Sequence, residues 1–437
     1  MTKENFSAER WKELDRSFNF YSWSAQGALS PMMVSHAHGM TVVDIEGNEY
    51  LDFSSQLVNV NIGHSHPRVV GAIVEQAEQL ATVGPAFSSK PRVQAAMAIV
   101  SRAGERFRKV FFTNGGADAN ENAIRAARLY TGRSKVLSTY RSYHGNTGSA
   151  IVATGDWRRQ PNEYATGHVH FFGPFLYRTE FAAENAEEEC QRALRHLERT
   201  IEAEGPDTIA AVLMETVPGT AGIMVPPPGY LSGVRALCDR FGIMLILDEV
   251  MCGFGRTGQW FAFHDHDAVP DMVTFAKGVN SGYVPVGGVV FSQALSEYFD
   301  DHMFPGGLTY SGHPLAMASI VAALDAMEEE AMLPNARSIG DDYLRPGLED
   351  LARKHPVIGE VRGLGCFFAL ELVSNSDTRT ALDAASIGKI KSEILARKLL
   401  PFVVDNRIHV VPPLIVSADD VSRALSIYDE AFEAAGF

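Results

Sequence analysis

Hydrophobic and polar positions alternate in blocks along the middle of the chain. Short, almost wholly apolar runs are separated by segments whose apolar residues recur every three or four positions. The runs predict strands at 109–113, 136–140, 208–215, 243–248, 271–275 and 286–291, and the longest intervening segment predicts a helix at 185–203. Strands this apolar are typical of a sheet covered on both faces, so the alternation predicts a mostly parallel α/β sheet between helices.

The pattern changes towards both ends of the chain. After a long helix from about Ala316, the C-terminal part predicts helices at 337–355 and 384–399, a strand pair within 357–373 and a final helix. Near the N-terminus, the run MTVVDIEGNEYLDF has turn residues between two alternating stretches and predicts a hairpin. We expect both ends to join in a smaller α+β domain.

Composition narrows the class of protein. The 437 residues are 46% hydrophobic and 21% charged, which is typical of a globular protein with a large core and excludes a disordered or fibrous chain. A formal net charge of −15, without a basic run, argues against a nucleic-acid partner. The N-terminus is polar and no apolar run is long enough for a membrane span, so we expect no membrane association.

The cysteines indicate a reducing compartment. Cys190, Cys238, Cys252 and Cys366 are widely spaced and form no CxxC pair. We therefore expect a cytoplasmic protein. The run FHDHD, with His264 and His266, has no matching cluster elsewhere, so we expect no metal site there.

Two predicted strands end in chemistry-bearing residues. Asp248 closes the run GIMLILDEV, and Lys277 follows the next run, DMVTFAKG. Ligands of open α/β sheets bind at this edge. A lysine among apolar neighbours loses its charge easily and suits Schiff-base chemistry, and an acid opposite a pyridine nitrogen keeps that nitrogen protonated. The alternative for such a pair is a buried structural ion pair.

Two further motifs favour the chemical interpretation. In FFTNGGADANENA a strand, a glycine turn and a helix from near Asp118 follow one another, so the N–H groups of Gly116 and Ala117 form a candidate phosphate seat. Tyr143 and His144 follow another strand, where an aromatic face can stack on a flat ring. Each motif alone is ordinary packing or a tight turn. Together they predict pyridoxal 5′-phosphate (PLP), a phosphorylated aromatic aldehyde.

The motifs TNGGADANENAIRAAR, YHGN, LDEVMCGFGRTG, FAKGVNSGYVPVGG and TYSGHPLA resemble class III, or ω-, PLP-dependent aminotransferases from about residue 20 to the end. YSWSAQ, LDFSSQLVNVNIGH and FFTNGGADANENA are most similar to the branch acting on taurine and related short ω-amino acids. The resemblance implies a fold-type I enzyme with a mostly parallel seven-stranded sheet. It also implies a large PLP-binding domain at 61–325 and a smaller domain built from 1–60 and 326–437.

The resemblance also implies roles for residues at the sheet edge. Lys277 matches the lysine that condenses with the cofactor and then moves the proton, and Asp248 matches the partner of the ring nitrogen. Val250 and Tyr143 match the residues on opposite faces of the ring. Glu215, in LMETVPG, matches a glutamate near the cofactor hydroxyl.

A second group of roles concerns the phosphate. Gly116 and Ala117 match the phosphate cup, although the family commonly has serine where Ala117 stands. Thr309 in LTYSGHP matches a threonine lent by the neighbouring subunit, which implies a homodimer with interface sites, with a tetramer as the alternative assembly. His144 matches a cofactor-site position without an assigned role.

The substrate-anion site departs from other branches of the family. Asn146 replaces an arginine of the GABA and ornithine branches, and Thr220 replaces their gating glutamate. Arg407 and Arg141 are the candidate replacements, because a guanidinium binds carboxylate or sulfonate through paired hydrogen bonds. Trp23, Val58 and Phe87 fall where the family lines its substrate pocket.

These matches predict a ping-pong aminotransferase. The expected donor is a short ω-amino acid or amine, such as taurine or β-alanine, and the expected acceptor is pyruvate or 2-oxoglutarate. The alternatives are a PLP-dependent β-elimination lyase of the phospholyase type, an amine transaminase preferring hydrophobic amines, and a non-catalytic protein that kept the fold.

Overall fold

The computed structural model describes residues 6–163 and 165–437. In chain order its strands are β1 Val34–His38, β2 Thr41–Asp44, β3 Glu49–Asp52, β4 Phe107–Thr113, β5 Lys135–Thr139, β6 His168–Phe171, β7 Ile209–Glu215, β8 Met244–Asp248, β9 Met272–Phe275, β10 Gly287–Ser292, β11 Ile358–Leu364, β12 Phe367–Asn375, β13 Thr380–Ala381, β14 Leu399–Leu400, β15 Phe402–Val404 and β16 Arg407–Val410. Its helices are α1 Ala8–Phe18, α2 Ser55–Val58, α3 Pro67–Gln79, α4 Lys90–Ala103, α5 Gly116–Thr131, α6 Gly148–Ala153, α7 Ala186–Glu204, α8 Tyr230–Phe241, α9 Gln293–Asp301, α10 Pro314–Glu329, α11 Met332–Ile339, α12 Arg345–Lys354, α13 Ala384–Ala396 and α14 Ala418–Ala435.

A large sheet runs through the middle of the described chain. Its seven strands follow the order β4-β10-β9-β8-β7-β5-β6, and all neighbours from β9 to β6 are parallel. Only β10 runs against both of its neighbours within this sheet. The six predicted strands are confirmed with small shifts at their ends. The seventh, β6, was not predicted because this edge strand carries two histidines and is only half-buried over most of its length.

Both faces of this sheet are covered, as the apolar strands predict. All residues of β7 are buried, and they alternate between two apolar clusters. Val212 and Met214 join the larger cluster, whereas Ala211 and Leu213 join the smaller one beneath α5. The predicted helix at 185–203 is confirmed as α7, which begins after Asn185 because the Asn185 side chain accepts a hydrogen bond from the Glu188 N–H.

Smaller sheets form from both ends of the chain. The predicted hairpin is confirmed as β2 and β3, and β3 pairs in parallel with β14 from the C-terminal part. Strands β11, β12, β16 and β15 form another sheet, with β13 beside β12. The helix predicted at 337–355 is interrupted by a wider turn at Gly340–Leu344 between α11 and α12. Residue 325 lies within α10, so the division at 1–60, 61–325 and 326–437 stays a prediction.

Two further features concern the chain as described. No helix among residues 6–163 and 165–437 combines the length and apolar character needed to cross a membrane. All four cysteines are buried, and none forms a disulfide.

Candidate active site

Three neighbouring parallel strands bring the predicted acid and lysine to one edge of the large sheet. Strand β7 ends on Glu215, β8 ends on Asp248, and β9 ends two residues before Lys277. In register, Glu215 pairs with Asp248, and Asp248 pairs with Thr274. Because open α/β sheets bind ligands beyond the carboxyl ends of their strands, we take this edge as the candidate site.

The carboxyl group of Asp248 is buried and held by three neighbours. His144 Nδ1 lies 2.8 Å from Asp248 Oδ2, and Asn120 Nδ2 donates to the same oxygen at 2.7 Å. The Val250 N–H donates to Oδ1 at 3.0 Å. These contacts fix the orientation of the carboxyl group, which is what a partner of a protonated ring nitrogen requires.

Asn120 was not predicted from the sequence. Thr274 Oγ1 donates to Asn120 Oδ1 at 2.7 Å, so the side-chain amide has one orientation, with Nδ2 towards Asp248. An asparagine near a helix start ordinarily suggests a solvated turn. The available signal was its spacing, because Asn120 precedes Ile124 by four residues and Ala127 by seven on the buried face of α5.

His144 connects Asp248 to the loop after β5 through its hydrogen bond to the Asp248 carboxyl group. Its Nε2 is buried and has no hydrogen-bond partner among the described residues, and its carbonyl accepts a hydrogen bond from Asn120 Nδ2 at 2.8 Å. A buried ring nitrogen without a partner is unusual in a protein interior. It marks this corner of the site as one that fits a polar group of a bound molecule.

The predicted phosphate seat is the start of α5. Gly115 precedes the helix, and no side chain caps its first N–H groups. The turn is tightly enclosed, because a Cβ on Gly116 would lie 2.9 Å from both methyl groups of Val250. A Cβ on Gly145 would lie 2.5 Å from the Ala117 Cβ, and Gly145 has φ +131°. Uncapped N–H groups and the helix dipole fit a phosphate at this position.

Lys277 lies in a strained backbone conformation with φ 47°. Burial lowers the pKa of the Lys277 amine below its ordinary value, although the carboxylates of Asp248 and Glu215 oppose the shift. Burial also raises the pKa of Glu215, whose oxygens accept hydrogen bonds from the Tyr143 N–H at 3.1 Å and the Gly219 N–H at 2.8 Å. A lowered pKa makes the lysine a more available nucleophile and base.

Lys277 and Tyr143 line a cleft of about 610 Å³, within the size range of small-molecule sites. Three of the predicted substrate residues, Trp23, Arg141 and Arg407, line it as well. The other lining residues are Leu57, Asp156, Trp157, Arg158, Thr220, Ala221, Met251, Phe402, Val403, Val404 and Asp405.

Other predicted residues lie away from the cleft wall. Val58 is buried, and its neighbour Leu57 lines the cleft instead. Phe87 and Thr309 are exposed and do not line the cleft of their own chain. The roles expected of these three residues stay predictions.

Arg158 is a cleft cation that the sequence reasoning missed. Its guanidinium carbon lies 3.8 Å from the centre of the Tyr143 ring, a cation–π contact. Its Nε lies 3.1 and 3.0 Å from the two carboxylate oxygens of Asp156. Arg158 lies in a short 3-10 helix, Trp157–Asn162, that the sequence did not predict. Only its contact with Tyr143 in the structure shows that it belongs to the cleft.

The two predicted arginines also have acidic partners. Arg407 donates to Asp405 at 2.6 Å, and its Nε is buried without a partner in the described part of the chain. Burial lowers the pKa of Arg407. Arg141 pairs with Glu180 at 2.5 Å. A guanidinium has five N–H donors, so each of these two arginines has N–H groups that do not bond to its carboxylate partner and can bind a ligand.

The site has the features of a fold-type I PLP-dependent enzyme: a mostly parallel sheet, Lys277 and Asp248 at its edge, and the uncapped start of α5. The chain belongs to the class III aminotransferase family, whose model matches residues 23–432. The structure of a taurine:2-oxoglutarate aminotransferase from Bifidobacterium kashiwanohense, in complex with PLP and glutamate, is 41% identical and superposes with a TM-score of 0.95, covering 98% of each chain. A PLP-bound amine transaminase from an uncultivated Pseudomonas species is 33% identical, with a TM-score of 0.93 over 96% of this chain and 99% of the other. The taurine–pyruvate aminotransferase of Bilophila wadsworthia is 31% identical over 96% of both chains.

Membership confirms the predicted family, fold type and cofactor. The substrates are accordingly an amino donor and a 2-oxo acid. The cofactor is PLP, and the residues present fit it: an uncapped helix start for the phosphate, a buried acid for the ring nitrogen and a lysine with a lowered pKa for the aldehyde. The residue roles themselves stay predictions.

Asn120→Ala is expected to lower turnover about ten- to a hundredfold, since it removes a hydrogen bond that fixes the Asp248 carboxyl group. Asn122→Ala is the matched control, because Asn122 is buried on the same helix but donates to the Asp118 carbonyl. Steady-state kinetics with the PLP-loaded enzymes would check this. Equal turnover in the two variants would contradict the role given to Asn120.

Proposed function

We propose that this enzyme moves the amino group of a short donor with a distal anion, such as taurine or β-alanine, to pyruvate or 2-oxoglutarate by a ping-pong mechanism. The observation that carries the proposal is the guanidinium of Arg158, which lines the same cleft as Lys277. Similarity to taurine aminotransferases supports it. A guanidinium binds sulfonate or carboxylate through paired hydrogen bonds.

Lys277 is the proposed proton carrier. When bound, PLP supplies an aldehyde that accepts the amino group and a ring that accepts electrons. The lowered pKa of Lys277 favours a free amine, which can take the proton from the amine-bearing carbon of the donor and release it again. Lys277 lies two residues beyond the buried strand β9, and burial of its amine limits side reactions with water.

Asp248 and the helix start have holding roles. The fixed carboxyl group of Asp248 would hold the proton of the ring nitrogen, and the first N–H groups of α5 would hold the phosphate. Val250 packs against Gly116, so it is placed to support the same ring from one side. Glu215 keeps the Tyr143 loop in position through the Tyr143 N–H.

A second candidate function has its own support. Trp23, Leu57, Trp157 and Phe402 give the cleft a large apolar wall, which suits a hydrophobic amine. One solved relative is an amine transaminase. The two functions differ in whether binding of the donor depends on a cation.

The direct test is a donor panel of taurine, β-alanine, GABA and 1-phenylethylamine, each with pyruvate and with 2-oxoglutarate. We expect the highest kcat/KM for taurine or β-alanine, and Lys277→Ala should have no turnover. Preference for 1-phenylethylamine would establish the amine transaminase, and release of ammonia without amino transfer would establish a lyase. Normal turnover by Lys277→Ala would contradict the mechanism.

Arg158→Gln is expected to raise the KM for taurine about ten- to a hundredfold, because a charge-assisted pair with the donor anion is lost. Turnover of 1-phenylethylamine should remain close to that of the parent enzyme. Arg141→Gln and Arg407→Gln are matched controls from the same cleft. A larger effect on taurine in either control would assign the anion to that arginine instead.

The proposed homodimer would bring Thr309 to the phosphate of the partner subunit. Thr309 is exposed beside Met303 and Tyr310, which expose 88% and 62% of their surface. Arg92 joins this segment to the loop of Phe87, since it packs on Gly312 and donates to the Phe87 carbonyl. Such an exposed apolar patch is typical of an interface.

Because the four thiols are unpaired, we place the enzyme in a reducing compartment, the cytoplasm.

Mixing Lys277→Ala with Thr309→Ala subunits tests this arrangement. Each variant alone should be weakly active or inactive, but refolded mixtures should recover up to about a quarter of the parent activity, because mixed dimers have one intact site. Activity assays after co-refolding would measure this. A mixture no more active than the sum of its components would contradict an interface role for Thr309.

A further inference from the structure

Arg256, in the segment GFGRTG, is fully buried, and all of its side-chain hydrogen bonds among the described residues go to neutral oxygens. Its Nη1 donates to the carbonyls of Cys366 at 3.0 Å and Pro412 at 2.5 Å. Its Nη2 donates to Asn61 Oδ1 at 2.7 Å and Ser55 Oγ at 3.3 Å. Burial lowers the pKa of Arg256 to about 10. Asp52 acts on this cation only from beyond ion-pair distance. A buried cation without a directly paired carboxylate is costly, so the contacts that Arg256 makes with other segments need an explanation.

The contact with Asn61 leads towards the reactive lysine. Asn61 Nδ2 donates to the Phe254 carbonyl at 2.8 Å, so this side chain is held at both ends of its amide. The same amide nitrogen lies against Gly278, where a Cβ would come within 2.3 Å of it. Gly278 follows Lys277 directly. Asn61 is therefore a spacer between the Arg256 guanidinium and the backbone that carries the lysine.

The lysine turn is strained and is held by this neighbour. Lys277 has φ 47° and Ser281 has φ 58°, backbone values that residues other than glycine rarely adopt. Such backbone persists only where the surroundings enforce it. Besides the Asn61 contact with Gly278, the Ile62 N–H donates to Ser281 Oγ at 3.0 Å. The segment around Asn61 thus contacts the turn at its beginning and near its end.

We propose that Arg256 is a positioning residue for Lys277 and acts through Asn61. The guanidinium fixes Asn61, Asn61 fixes the backbone at Gly278, and this contact keeps the Lys277 side chain directed into the cleft. The inference rests on the proposed role of Lys277. It assigns to Arg256 an effect on the lysine's reactivity, in addition to any effect on stability. Misplacing a reacting group by about 1 Å is enough to slow a reaction about a hundredfold.

The test measures how fast the cofactor-free, full-length protein captures PLP covalently. Absorbance follows the capture, and borohydride reduction followed by peptide mass spectrometry locates the modified lysine. The variants are Asn61→Ala, Arg256→Lys and their combination. Arg256→Lys keeps the charge but loses the forked geometry that reaches Asn61 and Pro412 together. Asn335→Ala is the control, because it removes hydrogen bonds to Leu414 and Val416 without touching the lysine turn.

We expect Asn61→Ala and Arg256→Lys each to slow capture at least tenfold, and the double variant to be no slower than the slower single variant. Asn335→Ala should stay within about twofold of the parent at a comparable loss of thermal stability. Gly278→Ala provides a compensating change. Alone it should slow capture because its Cβ meets Asn61, but combined with Asn61→Ala it should restore much of the rate.

Each outcome distinguishes between the two proposals. Capture rates for Asn61→Ala and Arg256→Lys equal to that of Asn335→Ala would overturn the positioning role, and so would simple addition of the Gly278→Ala and Asn61→Ala effects. Both results leave the proposed function intact if the parent protein is modified at Lys277. Modification of the parent at another lysine would overturn the proposed function itself.

Discussion

The parallel register of β7, β8 and β9 is the constraint on which the site depends. Because the three strands run in the same direction, Glu215, Asp248 and the segment leading to Lys277 end at one edge of the sheet. Because both faces of the sheet are covered, these strands are shielded from water. This burial lowers the pKa of the Lys277 amine and strengthens the hydrogen bonds to the Asp248 carboxyl group. Chemistry and burial are thus produced by the same packing.

The positions predicted best were those that local pattern determines. Apolar runs closed by a single polar residue identified Asp248 and Lys277, and a glycine turn before a helix identified Gly116. Asn120 escaped prediction because its partners, Asp248 and Thr274, come from distant strands. No local period encodes such a contact.

The edges of the fold were harder to predict for a related reason. Strand β6 has only four residues, HVHF, and most of them are half-buried, so it has no apolar run and its alternation is too short to predict a strand by itself. Arg158 lies in the loop between α6 and β6, in a short 3-10 helix at Trp157–Asn162, and its place in the cleft depends on packing over Tyr143. The substrate cleft is built mainly from such loops, which is why its lining residues were only partly predicted.

Charge is distributed unevenly between the surface and the cleft. The chain carries a formal charge of −15, yet three arginines line the cleft. Each has an acidic partner: Asp156 for Arg158, Asp405 for Arg407 and Glu180 for Arg141. In the function proposed above, a donor anion would share a guanidinium with a protein carboxylate, and that competition would favour anions that bind through two oxygens.

The most direct test of the central claim is a single-turnover experiment with the PLP-loaded enzyme and donor, without acceptor. Transfer through the Lys277 site predicts one carbonyl product per subunit and no free ammonia, followed by one amino acid product per subunit when a 2-oxo acid is added. Continued release of ammonia without acceptor would contradict amino transfer, and so would carbonyl product that accumulates beyond one equivalent.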